Sequence, residues 1–93
     1  MVKNFIHKGL KELFEKGNSK RLPQERVKKL KQMLAVLNSA TTVRDFDLPG
    51  ARLHQLKQPP LRGFWSLDVT GNYRLVFRFE NGDVYDLDFI DTH

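Results

Sequence analysis

No cysteine occurs in the 93 residues. That excludes a disulfide framework and thiolate zinc sites, and it accords with a reducing compartment. Long apolar runs are missing too. No stretch approaches the core of a signal peptide or the length of a membrane span, so a cytoplasmic protein with no membrane association is expected. No glycine-rich loop follows a strand-like segment, no serine sits in a nucleophile elbow, and no His/Asp/Glu spacing suits a metal. Neither metal nor other cofactor is expected. Acids are scarce at one end, where residues 1–31 hold three (Glu12, Glu15, Glu25) against ten lysines and arginines.

That imbalance is informative. The chain carries +5 overall, with a net +7 in residues 1–31 and a net −2 in residues 32–93. A basic half joined to a mildly acidic one points to a polyanion, nucleic acid above all. A solvated, lysine-rich helix surface accounts for the same charges. Hydrophobic residues make up 40% of the chain, ordinary for a globular protein, and the length suits one domain over residues 1–93 with one modest core.

Periodicity divides the chain in two. Residues 2–6 read as a short first strand. From His7 to Lys16, Leu10, Leu13 and Phe14 fall at helical spacing, and Gly17 stands at the expected C-cap. His7, at the start of that helix, is read as structural. Pro23 suits the first turn of a second helix running to about Leu37, with Val27, Leu30, Met33, Leu34 and Leu37 on one stripe. Leu48-Pro49-Gly50 signals a turn within the irregular stretch 38–51.

Strands follow, with Trp65/Leu67/Val69, Tyr73/Leu75/Phe77/Phe79 and Tyr85/Leu87/Phe89 as three inward rows. A slip of one residue would turn every row outward. Three-residue loops at 70–72 and 80–82, the second with Gly82 left-handed, keep the rows on one side. The second loop sets Arg74 opposite Asp88 and Val76 opposite Asp86. The expected fold is α+β: two N-terminal helices packed on one face of a four- or five-stranded, mainly antiparallel sheet.

Within the strands lie His54 and Lys57 of RLHQLK, Arg74 of NYRLVF, and Asp91 and His93 of the terminal Asp-Thr-His. Two histidines, a lysine and an arginine suffice for metal-free RNA cleavage. One imidazole takes a ribose 2′-hydroxyl proton, another protonates the leaving oxygen, and the cations hold phosphate charge. Each residue also has an ordinary reading. His54 would be a hydrogen-bonded edge residue, Lys57 an edge-strand lysine, and Arg74 or Arg78 a cross-strand ion pair. Asp91 either orients His93 or is one more acid of the last strand. The acids there alternate between faces, which disfavours a paired-carboxylate hydrolase.

At these segments, together with the opening VKNFIHKGLKELFEKG, the sequence resembles HigB-type toxins of the RelE-like toxin–antitoxin superfamily. The resemblance covers almost the whole chain. It implies a ribosome-dependent endoribonuclease that cuts mRNA in the 30S A site by 2′-oxygen attack, without metal. The implied active site is His54, Lys57, Arg74, Asp91 and His93, and the implied partner a helix-turn-helix antitoxin. Lys28, Lys29, Lys31 and Arg78 are candidate RNA contacts. Thr92 departs from the pattern, since relatives commonly carry tyrosine there. That substitution supports the alternative, a non-catalytic RNA- or protein-binding module with a toxin-like fold.

Overall fold

The computed structural model describes residues 1–92; His93 lies outside the described residues. Two helices, α1 (Lys8–Lys16) and α2 (Val27–Ser39), precede four strands: β1 (His54–Gln55), β2 (Trp65–Asp68), β3 (Tyr73–Glu80) and β4 (Asp83–Asp91). The strands form one antiparallel sheet in chain order. Residues 2–6 run parallel to β4 through isolated bridges at Val2–Val84 and Phe5–Leu87, giving the sheet four strands and a bridged N-terminal segment.

Local chemistry explains the element ends. The His7 ring accepts a hydrogen bond from the Leu10 amide, capping α1, and Gly17 closes the helix in the left-handed conformation (φ 70°). The structural reading of His7 therefore holds. The second helix begins with a 3₁₀ turn at Gln24–Arg26 before becoming α-helical. It ends two residues beyond the expected Leu37. Leu48-Pro49-Gly50 forms the expected turn, closed by the Ala51 amide on the Leu48 carbonyl at 3.1 Å.

One buried cluster joins Leu10 and Leu13 of α1 and Leu30, Met33, Leu34 and Leu37 of α2 to Leu67, Leu75, Phe77, Leu87 and Phe89 of the strands. Phe46, from the irregular stretch, seats its ring edge-on to Phe77 and Phe79 at centroid distances of 5.1 and 4.9 Å.

The β2–β3 hairpin has the expected register, with Leu67 opposite Leu75 and Trp65 opposite Phe77. The second hairpin differs from the sequence-based reading. Glu80 pairs with Asp83, so the turn is the two-residue Asn81-Gly82, and both residues have positive φ (52° and 82°). This is the geometry that matches strand twist and that Asn-Gly favours. Alone it would put the inward rows out of phase. A bulge restores them: the register shifts between Val76 and Arg78, with Asp86 in the left-handed region (φ 53°). One strand gains a residue and the alternation is recovered beyond it. Arg74 therefore lies opposite Ile90, and Val76 opposite Asp88. Val84 takes the inward place near the turn, while Tyr85 pairs with Arg78, whose guanidinium lies 5.3 Å from the Tyr85 ring centroid.

The bulge is pinned from two sides. Asn4 donates to Asp86 Oδ1 at 2.7 Å and accepts from the Asp86 amide at 3.0 Å. Arg78 Nε donates to Asp86 Oδ2 at 2.8 Å. The Asn4 amide, and after it the Arg78 guanidinium, hold the Asp86 carboxyl below the usual carboxylate range. A carboxyl depressed on folding adds stability above its unfolded pKa, and that stability is lost as pH falls through the lower folded value. The urea midpoint of the native chain should therefore drop more steeply than that of Asp86→Asn below about pH 4; superimposable profiles would remove Asp86 as the cause.

Candidate functional site on the outer sheet face

Antiparallel pairing decides which residues share the face turned away from the core. His54 lies opposite Ser66, Ser66 opposite Val76, and Val76 opposite Asp88. The neighbouring row is Asp68, Arg74 and Ile90. Residues two apart on a strand point the same way, so His54, Ser66, Asp68, Arg74 and Asp88 occupy one surface. The sheet thus puts His54 and Arg74, from segments twenty residues apart, on one face with β2 between them.

His54 is exposed, and its Nδ1 lies 2.8 Å from the Arg52 carbonyl oxygen. A carbonyl only accepts, so the neutral imidazole carries its proton on Nδ1 and keeps the Nε2 lone pair as acceptor. That tautomer is the one a general base needs if Nε2 faces the proton to be taken. Arg74 Nε lies 3.6 Å from Asp68 Oδ1, and Arg52 Nε lies 3.6 Å from Asp68 Oδ2. The ion-pair partner of Arg74 is thus Asp68 from the preceding strand. Asp88 Oδ1 instead accepts from the Phe89 amide at 2.9 Å.

Two buried polar atoms on this face have no hydrogen-bond partner among the described residues: Ser66 Oγ and Asp68 Oδ1. Ser66 is fully buried between His54 and Val76. Sequence reasoning passed over Arg52, Ser66 and Asp68, because neither a serine among apolar residues nor an Asp–Arg pair across two strands is visible before the register is known.

The remaining candidates are distributed differently. Lys57 is exposed just past β1. Asp91 pairs with Tyr73 at the end of β4 and shares the alternation of Phe89, so its strand position faces the opposite side from His54 and Arg74. Thr92, next along, is tied down: its amide and hydroxyl both donate to the Asn72 carbonyl, at 2.7 and 3.0 Å. His93 falls outside the described residues. Lys28 and Lys31 are exposed on α2, whereas Lys29 Nζ donates to the Val69 carbonyl at 2.6 Å and anchors the helix to the β2–β3 turn. Arg78 is committed to Asp86 and to Glu80 (2.7 Å). Its hydrogen bond to the Asp86 carboxylate, foremost, raises its pKa. Among the described residues no group of three or more His, Cys, Asp or Glu is placed to hold a metal ion. No described helix is long and apolar enough to cross a membrane.

A helix pair packed with an ordered four-stranded antiparallel sheet, bearing a histidine and an arginine on one outer face with β2 between them, defines a small α+β protein with the layout of RelE-like toxins. A solved structure supports the fold: YafQ of E. coli superposes with a TM-score of 0.55, covering 98% of this chain and 91% of that one at 15% identity. Residues 3–93 match the family described as HigB-like toxin, the RelE-like toxin of the type II toxin–antitoxin system HigB. "Endoribonuclease HigB" of Proteus vulgaris is 40% identical over 93 residues, the full length of both chains. An uncharacterised protein of Haemophilus influenzae is 27% identical over 78% of this chain and 71% of its own. The chain belongs to the HigB-like toxin family.

A buried hydroxyl without a partner costs about 1–3 kcal/mol relative to a satisfied one. Ser66→Ala should therefore leave thermal stability unchanged or raise it by up to about 1 kcal/mol. Calorimetry would show a clear loss if Ser66 Oγ were instead a structural hydrogen bond.

Proposed function

We propose that this chain is the toxin of a type II pair, an endoribonuclease whose single domain cuts mRNA in the 30S A site. Support comes from full-length kinship with an endoribonuclease, and the observation that carries the chemistry is that His54 and Arg74 share the outer sheet face, on either side of β2. His54 Nε2 takes the proton from a ribose 2′-hydroxyl, whose oxygen attacks the adjacent phosphorus. The P–O5′ bond breaks, leaving a 2′,3′-cyclic phosphate and a 5′-hydroxyl. His93 is the proposed donor of the proton to the departing oxygen. Arg74 and Lys57 carry the charge that grows on the phosphate oxygens. Asp91 orients His93 in this reading.

The ribosome positions the strand, and the exposed Lys28 and Lys31 on α2 face its RNA. Lys29 and Arg78 are weaker contacts, because their cationic groups already hold a carbonyl and two carboxylates. A helix-turn-helix antitoxin and a cytoplasmic site of action complete the proposal.

Purified chain is added to programmed ribosomes and, separately, to naked mRNA, and cuts are mapped by primer extension. Cleavage confined to ribosome-bound message is expected. His54→Ala should lower its rate about 10²–10⁴-fold, the usual worth of a positioned acid or base, and Arg74→Ala should lower it comparably in a protein that still folds. Undiminished cutting by folded His54→Ala would overturn the assignment of the base. No cutting by the native chain would favour a non-catalytic binding module.

A further inference from the structure

Arg52 has no part in the reading above, yet several observations converge on it. Its backbone is left-handed, with φ 49°, a conformation that a long side chain adopts against its preference. Such residues persist only where the surroundings hold them, and they concentrate at working sites. The carbonyl of this same residue accepts the His54 Nδ1 proton at 2.8 Å. A single unusual backbone conformation is thus coupled to the choice of the histidine nitrogen left free to act.

The side chain reaches the same site by another route. Arg52 Nε and Arg74 Nε each stand 3.6 Å from a different oxygen of Asp68, too long for a hydrogen bond and short enough for charge attraction. One carboxylate therefore spans two guanidinium groups on the His54 face. The Arg52 side chain is 76% exposed, so its remaining N–H donors are open to a ligand. Two guanidinium groups share the single Asp68 carboxylate between them, while Asp88 on the same face accepts from the Phe89 amide, so the exposed arm of Arg52 is suited to a phosphodiester. Bidentate geometry favours arginine over lysine for that contact.

We propose that Arg52 is a positioning residue for His54 and, with Arg74, the second arm of a phosphate clamp held by Asp68. The backbone of Arg52 holds the Nδ1–H tautomer, and its guanidinium grips an RNA phosphate beside the scissile bond. This rests on the ribonuclease reading.

Two substitutions separate the roles. Arg52→Gly keeps a left-handed backbone accessible and removes the guanidinium. Arg52→Val opposes the left-handed backbone as well; Arg52→Ala replaces it if the valine variant does not fold. Cleavage on programmed ribosomes is measured across salt concentrations, and the His54 ring tautomer is read from ¹⁵N spectra. For Arg52→Gly, efficiency at sub-saturating enzyme should fall roughly tenfold to a hundredfold, with a salt slope shallower by about one and the native tautomer retained. For Arg52→Val the tautomer should shift and the single-turnover rate should fall further. Native efficiency and salt slope in Arg52→Gly would overturn the clamp. An unchanged tautomer in the folded Val or Ala variant would overturn the positioning role. If the native chain cuts nothing, the ribonuclease reading and the clamp fail together, and the ring tautomers alone decide the positioning role.

Discussion

The phase of the sheet depends on Asp86. The Asn-Gly turn that joins β3 to β4 is conformationally favourable, but it would set the strands one residue out of step. The left-handed bulge absorbs the mismatch, and Asn4 and Arg78 hold it with a reciprocal amide pair and an ion pair. Beyond the bulge Leu87 and Phe89 enter the core, while Asp88 and Ile90 join the face that carries Arg74. Asn4 lies eighty-two residues away in sequence, so the same contact fastens the N-terminal segment along β4. The core and the outer face both rest on this junction.

On the outer face, order comes from partial satisfaction rather than from tight pairing. The His54 ring is bound through one nitrogen, which leaves the other available. The arginines stand at charge-attraction distance from Asp68, and the buried oxygen of that carboxylate lacks a hydrogen-bond partner among the described residues. A fully satisfied network would be more stable and less able to exchange partners with a phosphate. Lys29 and Arg78 show the contrast. Both are held at hydrogen-bond distance, one to a turn carbonyl and the other to two carboxylates, and both serve the architecture first.

Much of the fold was legible in the sequence because its signals are local. The His7 and Gly17 ends of α1, the Leu48-Pro49-Gly50 turn and the alternating rows of β2 and β3 each depend on a few adjacent residues. The second hairpin was not legible in the same way. A three-residue loop and a two-residue turn with a bulge both keep the rows inward, and the contacts of Asn4 and Arg78 with Asp86 that stabilise the bulge are invisible before the fold is known. Tyr85 illustrates the consequence: alternation alone places it inward, whereas the bulge leaves it beside Arg78. The site divided similarly. His54 and Arg74 stood out by residue type and by family resemblance. Arg52, Ser66 and Asp68 acquired meaning only once β1, β2 and β3 were aligned.

Sequence by itself determined the kind of molecule: a basic, cysteine-free α+β chain of the HigB-like family, with its helices, its inward rows and its chemically able residues in order along the chain. The family follows from resemblance along the whole chain, and the other properties from composition, periodicity and short motifs. Tertiary structure decided which residues meet. Asp68 holds Arg74 where Asp88 had been expected, and the Arg52 backbone sets the tautomer of His54. Thr92 is bound to Asn72, and Asp91 falls on the alternation of Phe89. The register of β3 with β4 is a long-range property, set by a turn, a bulge and a contact across eighty-two residues, and no local pattern encodes it.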